Sequence, residues 1–320
     1  MKRKQSGFKI MMRLIKLVKP LAFFMVLAVI LGVTGFLCAI QITALGSMTL
    51  LTAAGINGGL AIKTGCICII IFAVLRGFLH YGEQACNHYI AFKLLAIIRD
   101  KVFKSLRRLT PAKLEGKDKG NLISLITSDI ELLEVFYAHT ISPICIAFLT
   151  SLVMLIFIGR YSIWLMLVAL AAYITVGIII PLVSSKFNKN IGMTYRENSG
   201  ALSGYVLDSM RGLLESIRYN STDTRLNEMN EKTDELNSLQ KKLKKIEGHN
   251  ISITDISIIF FSITMLLVAI CLYQKGTIGF DGLIVSTVAM MSSFGPVAAL
   301  SNLAGNLTHP CKRRKSAVNS

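Results

Sequence analysis

Six long apolar stretches constrain the fold of this chain more than any other feature of its sequence. They lie at about residues 21–46, 58–82, 136–158, 162–183, 251–273 and 281–305. A hydrocarbon core of about 30 Å requires about 20 mostly apolar residues in a helix, so each stretch is long enough to span a bilayer. The sequence therefore predicts an all-α membrane protein with six transmembrane helices.

The composition excludes most other classes of protein. The chain is 53% hydrophobic and 17% charged, whereas soluble domains are about 45–50% apolar and about 25% charged. Its net charge of +17 would suggest a nucleic-acid partner in a soluble protein. The charged run 224–247 lacks the interleaved aromatic residues of such a site, and we interpret it as a solvated helix face. The seven cysteines form no C-x-x-C pair, which favours reduced thiols over a metal site.

The distribution of Lys and Arg predicts the orientation in the membrane. Seven of these residues precede the first apolar stretch, nine lie in 83–135, eleven in 184–250 and four in the tail. Only Lys63, Arg160 and Lys275 would lie on the opposite side. By the positive-inside rule, both termini and the two long connections are cytoplasmic, and the protein lies in the cell membrane. Within the N-terminal segment 1–19, residues 8–18 are expected to form an interfacial helix.

The two long connections predict helical hairpins rather than loops. Residues 83–109 keep apolar side chains at helical spacing until Thr110-Pro111 stops the helix. A helix from 58 to 109 would be about 75 Å long, of which about 30 Å fits in hydrocarbon. The second connection repeats this plan with a bend near Arg211-Gly212. We therefore expect helices two to five to project as two long cytoplasmic hairpins, each ending in a short transverse segment.

Local sequence motifs add a resemblance to a known family. The motifs are Arg76-Gly-Phe-Leu-His80-Tyr-Gly-Glu83, Gly120-Asn-Leu-Ile-Ser-Leu-Ile-Thr-Ser-Asp129 and Ala201-Leu-Ser-Gly-Tyr-Val-Leu-Asp208. They resemble the transmembrane domain of ATP-binding-cassette (ABC) exporter half-transporters, in particular the CydC/CydD type, the cysteine and glutathione exporters. The resemblance covers residues 8 to about 307. It implies the ABC exporter type 1 transmembrane fold over residues 20–307.

This resemblance also implies a transport mechanism. Two half-transporters pair as a homodimer or heterodimer, and their hairpins rest on two ATPase domains whose closure on ATP switches the helices from inward-open to outward-open. The transverse segments would transmit this movement. The candidate coupling residues are Pro111, Ala112, Lys113, Leu114, Glu115, Gly212, Leu213, Leu214, Glu215 and Arg218. The alternative is that both segments are ordinary turns between helices.

Three polar residues of the second stretch are candidates for substrate binding. A charge within a membrane span is costly and normally faces a cavity or a partner. The spacing of Arg76, His80 and Glu83 places them on one helical face. Arg76 could hold a carboxylate, such as that of cysteine or glutathione, in a bidentate pair. The alternative is an Arg76–Glu83 or interhelical ion pair that only stabilises packing.

The sequence contains no recognisable ATPase motif. Its one Gly-Lys pair, Gly116-Lys117, precedes Asp118 and has no glycine five residues before Gly116. It therefore does not match the phosphate-binding loop G-x-x-x-x-G-K-[ST]. We expect this chain to hold no catalytic residues, metal or cofactor of its own, and ATP to act only through an ATPase domain or partner.

Residues 308–320 differ abruptly from the apolar stretch before them. A one-base shift of their possible codons permits residues similar to the family's junction with its ATPase domain, so one hypothesis is a frameshift that truncates a half-transporter. The alternative is a natural polybasic tail at an anionic membrane surface.

The sequence thus predicts the membrane part of an ATP-driven exporter of thiols, amino acids or small peptides. The alternatives are a permease subunit with a separately encoded ATPase and a non-transporting membrane interaction protein. An ion-coupled carrier is disfavoured because the centres of the apolar stretches contain no Asp or Glu.

Overall fold

The computed structural model describes residues 21–56, 61–109 and 141–306. The helices of this part of the chain are α1 (Ala22–Ala53), α2 (Ile62–Leu109), α3 (Ser142–Gly159), α4 (Ile163–Ile174), α5 (Ile180–Arg211), α6 (Leu213–Arg218), α7 (Thr222–Gln274), α8 (Phe280–Ser293) and α9 (Gly295–Asn306). A π-helical turn, Thr175–Ile179, joins α4 to α5.

Six helical segments in the described residues are long and apolar enough to cross a membrane. They are Ala22–Ala53, Ile62–Lys101, Ser142–Gly159, Ile163–Ser184, Thr222–Gln274 and Phe280–Leu300. Each contains most or all of one predicted stretch, which confirms the prediction of an all-helical chain with six apolar spans. The fourth segment combines α4, the π-helical turn and the beginning of α5.

The main hydrophobic core lies where α3, α4, α7 and α8 meet. Leu165, Met265 and Met290 are fully enclosed there, and the small side chains of Ala169 and Ala269 let the helices approach closely. Such small residues are typical of helix contacts in membranes, where dispersion contacts rather than the hydrophobic effect hold helices together.

A second core joins the beginning of α1 to the C-terminal half of α2. Leu21 packs there against Ile90, Leu94 and Ile98, and Ile141 at the start of α3 contacts the same cluster. Along most of its length α1 also packs against α2. The start of α1, the later part of α2 and the start of α3 therefore lie at one level of the bundle.

Prolines mark three helix boundaries in the described chain. Pro143 lies in the first turn of α3, and Pro181 follows the π-helical turn at the start of α5. Pro296 is the second residue of α9, directly after the interruption at Phe294. Because proline has no N–H and its ring collides with the preceding turn, helices begin or change geometry at such positions.

Two helices are far longer than a bilayer requires. α2 has 48 residues and α7 has 53, which correspond to about 70 and 80 Å at 1.5 Å per residue. α5 and α7 pack against each other and are joined by α6, which begins directly after the predicted bend at Arg211-Gly212. The predicted interfacial helix 8–18, the first transverse segment Pro111–Lys117 and the tail 308–320 lie outside the described residues.

Candidate functional site

Arg76, His80 and Glu83 lie on successive turns of α2 but in different surroundings. Arg76 is exposed, and among the residues that the structure describes it has no ion-pair partner. The His80 side chain is 63% exposed, whereas that of Glu83 is 9% exposed. His80 Nδ1 lies 3.3 Å from Glu83 Oε2. The partner of Glu83 is thus His80 rather than Arg76, and Arg76 and His80 are the two exposed groups of the three.

Glu83 is buried because it packs against a glycine of the neighbouring helix. A methyl group on Gly32 of α1 would lie 3.2 Å from Glu83 Cδ and would overlap Cδ1 of Ile146 in α3. The carboxyl group therefore lies at the junction of three helices. The sequence places Glu83 just beyond the second apolar stretch, but the structure places it inside the candidate span Ile62–Lys101. The small residues Gly32 and Gly35 in α1 were the available sequence signal for this close approach.

The short helix α6 presents apolar side chains outwards at the end of the α5–α7 pair. Ser216 is buried, and its hydroxyl donates to the carbonyl of Gly212 at 2.9 Å. Leu214 and Tyr219 are 70% and 82% exposed, and Leu213 and Ile217 are exposed beside them. The predicted coupling residues Gly212, Leu213, Leu214, Glu215 and Arg218 thus all lie on α6 or at its first boundary.

A polar cluster next to α6 ties α5 to α7. The Tyr205 hydroxyl donates to Glu228 Oε2 at 2.7 Å, and this hydrogen bond raises the pKa of Tyr205. Arg225 donates to Ser209 Oγ at 3.2 Å, and its guanidinium carbon lies 5.9 Å from the centre of the Tyr205 ring. The ammonium of Lys232 lies 5.5 Å from the same centre. The charge pattern of 224–247 predicts a solvated helix face but does not reveal this cluster. The available sequence signal is Tyr205, inside the third motif.

An apolar groove of about 540 Å³ lies between α3, α9 and the segment formed by α4, the π-helical turn and the start of α5. Its lining includes Phe148, Leu152, Ile178, Pro181 and Val297. Such a lining suits a hydrocarbon chain rather than a polar molecule.

A buried polar contact lies beside this groove. Tyr173 is a residue of the groove wall, and its hydroxyl lies 2.5 Å from the Ser293 hydroxyl of α8. The tyrosine is 6% exposed and the serine 2% exposed. The Ser293 hydroxyl also donates to the Met290 carbonyl at 2.7 Å, so the contact with Ser293 chiefly satisfies the Tyr173 hydroxyl, which would otherwise be costly to bury.

The fold and these surfaces define a multi-pass helical membrane protein with a long helical pair that ends in an exposed apolar tip. The ABC transporter transmembrane region matches residues 21–297. The chain belongs to this family.

Two of three relatives are named as ATP-binding/permease proteins, and the third is named as a flippase. The chain is 43% identical over 304 residues to a probable ABC transporter ATP-binding/permease protein of Haemophilus influenzae, an alignment that covers 95% of this chain and 55% of that protein. It is 23% identical over 176 residues to the glutathione/L-cysteine transport protein CydC of the same organism, covering 55% of this chain and 31% of that protein. An ATP-dependent lipid A-core flippase of Colwellia psychrerythraea is 29% identical over 181 residues, covering 55% and 29%.

These alignments limit what the relatives show. The chain spans about half the length of the Haemophilus relative that it matches at 43% identity. The shared part includes the transmembrane region, so the fold and the membrane location follow from the family. The matches to proteins with named substrates are shorter and less identical.

Proposed function

We propose that this chain is the membrane-spanning part of an ATP-driven exporter, and that α6 receives movement from an ATPase domain. The observation that carries the proposal is the exposed apolar surface of α6 at the end of two long helices. In this proposal both termini and α6 face the cytoplasm, as the distribution of Lys and Arg predicts. A second half-transporter completes the translocation path.

The chemistry of α6 supports docking on a protein. Burial of a Leu or Ile side chain contributes about 1.5–3 kcal/mol. Leu214 and Ile217 are 70% and 58% exposed, so a groove that covers them would gain much of this free energy. The Tyr205 cluster ties α5 to α7 beside α6, and the Ser216 hydroxyl bonds back to Gly212 at the start of α6. The ATPase domain can belong to the same polypeptide or to a separate subunit. The segment Pro111–Lys117 would provide the second docking point.

Site-specific photocrosslinking in membranes tests this docking surface. A photoreactive residue at Leu214 should crosslink to a polypeptide that mass spectrometry identifies by its ABC ATPase domain. Lys242, which is exposed in the middle of α7, provides the matched control and should give no such product. Equal labelling from both positions, or ATPase labelling from Lys242 alone, would contradict the proposal. Leu214→Asp combined with Ile217→Asp should abolish the docking of α6 on the ATPase domain and uncouple ATP hydrolysis from transport.

We further propose a small substrate that carries a carboxylate, in the class of cysteine or glutathione. Arg76 is exposed within a candidate span and can form a bidentate pair with a carboxylate. His80 is exposed four residues further along α2 and can add a hydrogen bond. Glu83 then acts through His80, which it orients, because its own carboxyl is buried. The low-identity relatives with glutathione and cysteine in their names agree with this class.

Binding of radiolabelled cysteine and glutathione to the purified protein tests the role of Arg76. Charge-assisted hydrogen bonds contribute about 1.5–3 kcal/mol, so Arg76→Ala should weaken binding about 10- to 100-fold. Arg76→Lys should recover part of the loss, because lysine keeps the charge without the fork geometry. Lys63→Ala, near the first residues of α2, is the matched control. Unchanged affinity in Arg76→Ala would remove this residue from the substrate site.

The apolar groove favours a second candidate, an amphiphilic lipid substrate. A photoreactive lipid analogue should label groove residues such as Phe148, and Ile178→Trp should reduce labelling by filling the groove. Ile256→Trp, at a 66% exposed position of α7, should leave labelling unchanged. If the lipid analogue also displaces cysteine from Arg76, the two candidates share one path; labelling without displacement would leave the groove as a separate lipid contact.

A further inference from the structure

The part of α7 that precedes its apolar stretch 251–273 carries its charges in two separate blocks. Residues 222–240 contain five acidic and two basic residues, and so have a net charge of −3. Residues 241–250 contain four lysines and one glutamate, and so have a net charge of +3 with His249 neutral. The basic block is the one next to the apolar stretch. Charges that only solvate a helix need no such order, so their separation indicates an anionic partner at the membrane boundary.

The four lysines of the basic block form one exposed face of α7. We call these residues the lysine collar: Lys241, Lys242, Lys244 and Lys245. All four are exposed, whereas Leu243 and Ile246 are half-buried and Asn250 is buried. At 3.6 residues per turn, the collar covers an arc of about 160°, and these three more buried residues lie on the opposite arc. The rest of the described chain therefore leaves the collar uncovered.

Acidic side chains neutralise little of the charge of the collar. Lys244 Nζ lies 3.0 Å from Glu247 Oε2, and both side chains of this pair are more than half exposed. Lys241, Lys242 and Lys245 have no ion-pair partner among the residues that the structure describes. Because exposed ion pairs are weak, Glu247 also leaves Lys244 able to bind another anion.

The collar lies within reach of lipid headgroups, and the acidic block lies beyond it. Lys245 and Lys241 precede Ile251 by six and ten residues, which correspond to about 9 and 15 Å along the helix. The headgroup layer extends about 5–8 Å beyond the hydrocarbon, and its potential decays over a further 8–10 Å or so at physiological salt. The flexible lysine stem can also bring the ammonium closer to the surface. Glu235, the nearest acidic residue of the other block, is about 24 Å from Ile251.

This arrangement favours a membrane lipid over a soluble anion as the partner. The basic charge is concentrated where phosphate groups of the bilayer surface lie, and the negative charge of α7 begins where their potential has decayed. We propose that the lysine collar of α7 binds the headgroups of anionic phospholipids. This contact goes beyond the proposed export function, because it requires neither an ATPase domain nor a transport substrate.

Quenching of a tryptophan beside the collar by brominated phospholipids tests the proposal. Trp164→Phe combined with Ile251→Trp leaves one tryptophan, at a 42% exposed position where the apolar stretch begins. The purified full chain is placed in nanodiscs that contain brominated phosphatidylglycerol or brominated phosphatidylcholine, and quenching against lipid fraction gives their relative association constants. Phosphatidylglycerol should bind at least about fivefold more strongly, which corresponds to one fully effective lysine. This preference should fall as NaCl is raised, because salt screens exposed charges.

Substitutions in this reporter chain separate the collar from the total charge. Lys241→Gln, Lys242→Gln and Lys245→Gln together should bring the two association constants within about twofold, and glutamine keeps the helix propensity of lysine. Glu247→Gln should raise the preference, because it removes a negative charge and frees its lysine partner. Lys275→Gln is the matched control, since Lys275 is exposed at the opposite end of α7, and it should leave the preference unchanged.

Four results would overturn the proposal. The first is equal association of both lipids with the unsubstituted reporter chain, and the second is a preference that survives in the triple variant. The third is an equal loss of preference in Lys275→Gln, which would assign the effect to total charge. The fourth is a preference that Glu247→Gln lowers.

Discussion

Replacement of Gly32 by alanine tests the packing of the α1–α2–α3 junction. The added methyl group would overlap Ile146 Cδ1 and would lie 3.0 Å from Ile146 Cγ1 and 3.2 Å from Glu83 Cδ. Ile146 is 2% exposed, so its side chain has little room to move away. The substitution should therefore force α1 away from α3 or turn Ile146 out of its preferred rotamer.

The size of the effect follows from a comparison within the same helix. Gly46 of α1 has no atom within 4 Å of an added methyl group. Alanine gains up to about 1 kcal/mol over glycine in a helix at either position. Overpacking costs about 1–3 kcal/mol and applies only at Gly32. The free energy of unfolding of Gly32→Ala should thus be about 1–3 kcal/mol below that of Gly46→Ala, because the helix propensity terms cancel.

Equilibrium unfolding in mixed detergent micelles measures this difference, with the fluorescence of the one tryptophan, Trp164, as a probe. Ile146→Val removes the overlapping Cδ1 atom, so Gly32→Ala should cost less in that background than in the wild type. Stabilities of Gly32→Ala and Gly46→Ala that agree within about 0.5 kcal/mol would refute the close approach of α1 and α3.

Three further predictions concern single residues. Tyr173→Phe should lower the free energy of unfolding by about 0.5–1.5 kcal/mol in the same unfolding assay, because it removes one buried hydrogen bond while the Ser293 hydroxyl keeps its bond to the Met290 carbonyl; an unchanged value would contradict the contact. The raised pKa of Tyr205 contributes stability below its ordinary pKa of about 10, and this contribution is lost as pH rises above that value. Between pH 9 and 11 the melting temperature of the wild type should therefore fall more steeply with pH than that of Tyr205→Phe. Parallel curves of melting temperature against pH would exclude the Glu228 hydrogen bond. Gly276 has φ +69°, so Gly276→Ala should lower stability by about 1–2 kcal/mol in the unfolding assay and Gly276→Asn by less; equal losses would argue against this conformation.

The membrane-spanning architecture could be predicted from the sequence because each span needs only a run of apolar residues. In the described chain, the six candidate spans follow that rule. The end of α5 at Arg211 follows from the glycine after it. The π-helical turn before Pro181 could not be predicted, because a proline within an apolar run is compatible with a kink, a helix start or an altered turn. The structure has the altered turn, and Gly177 of that turn approaches Val297 closely.

The candidate site was only partly accessible to sequence reasoning. Helical spacing predicts that Arg76, His80 and Glu83 share one face of their helix, but spacing within one helix says nothing about the neighbouring helices. Glu83 is buried against Gly32, which lies 51 residues away in sequence (83 − 32). For the same reason, the contact between Tyr205 and Glu228 depends on the pairing of α5 with α7, which a charge pattern along α7 cannot specify.

The length of α7 determines how far its beginning moves when its apolar half tilts. Residues 222–248 precede its apolar part and form an arm of about 40 Å. A tilt of about 5° in the apolar half would move the beginning of this arm by about 3.5 Å, about the rise of two helical residues. A tilt too small to repack a helix contact within the bilayer would thus move α6 far enough to change which of its side chains meet a partner. The arm converts a small change of angle into a displacement of several ångströms.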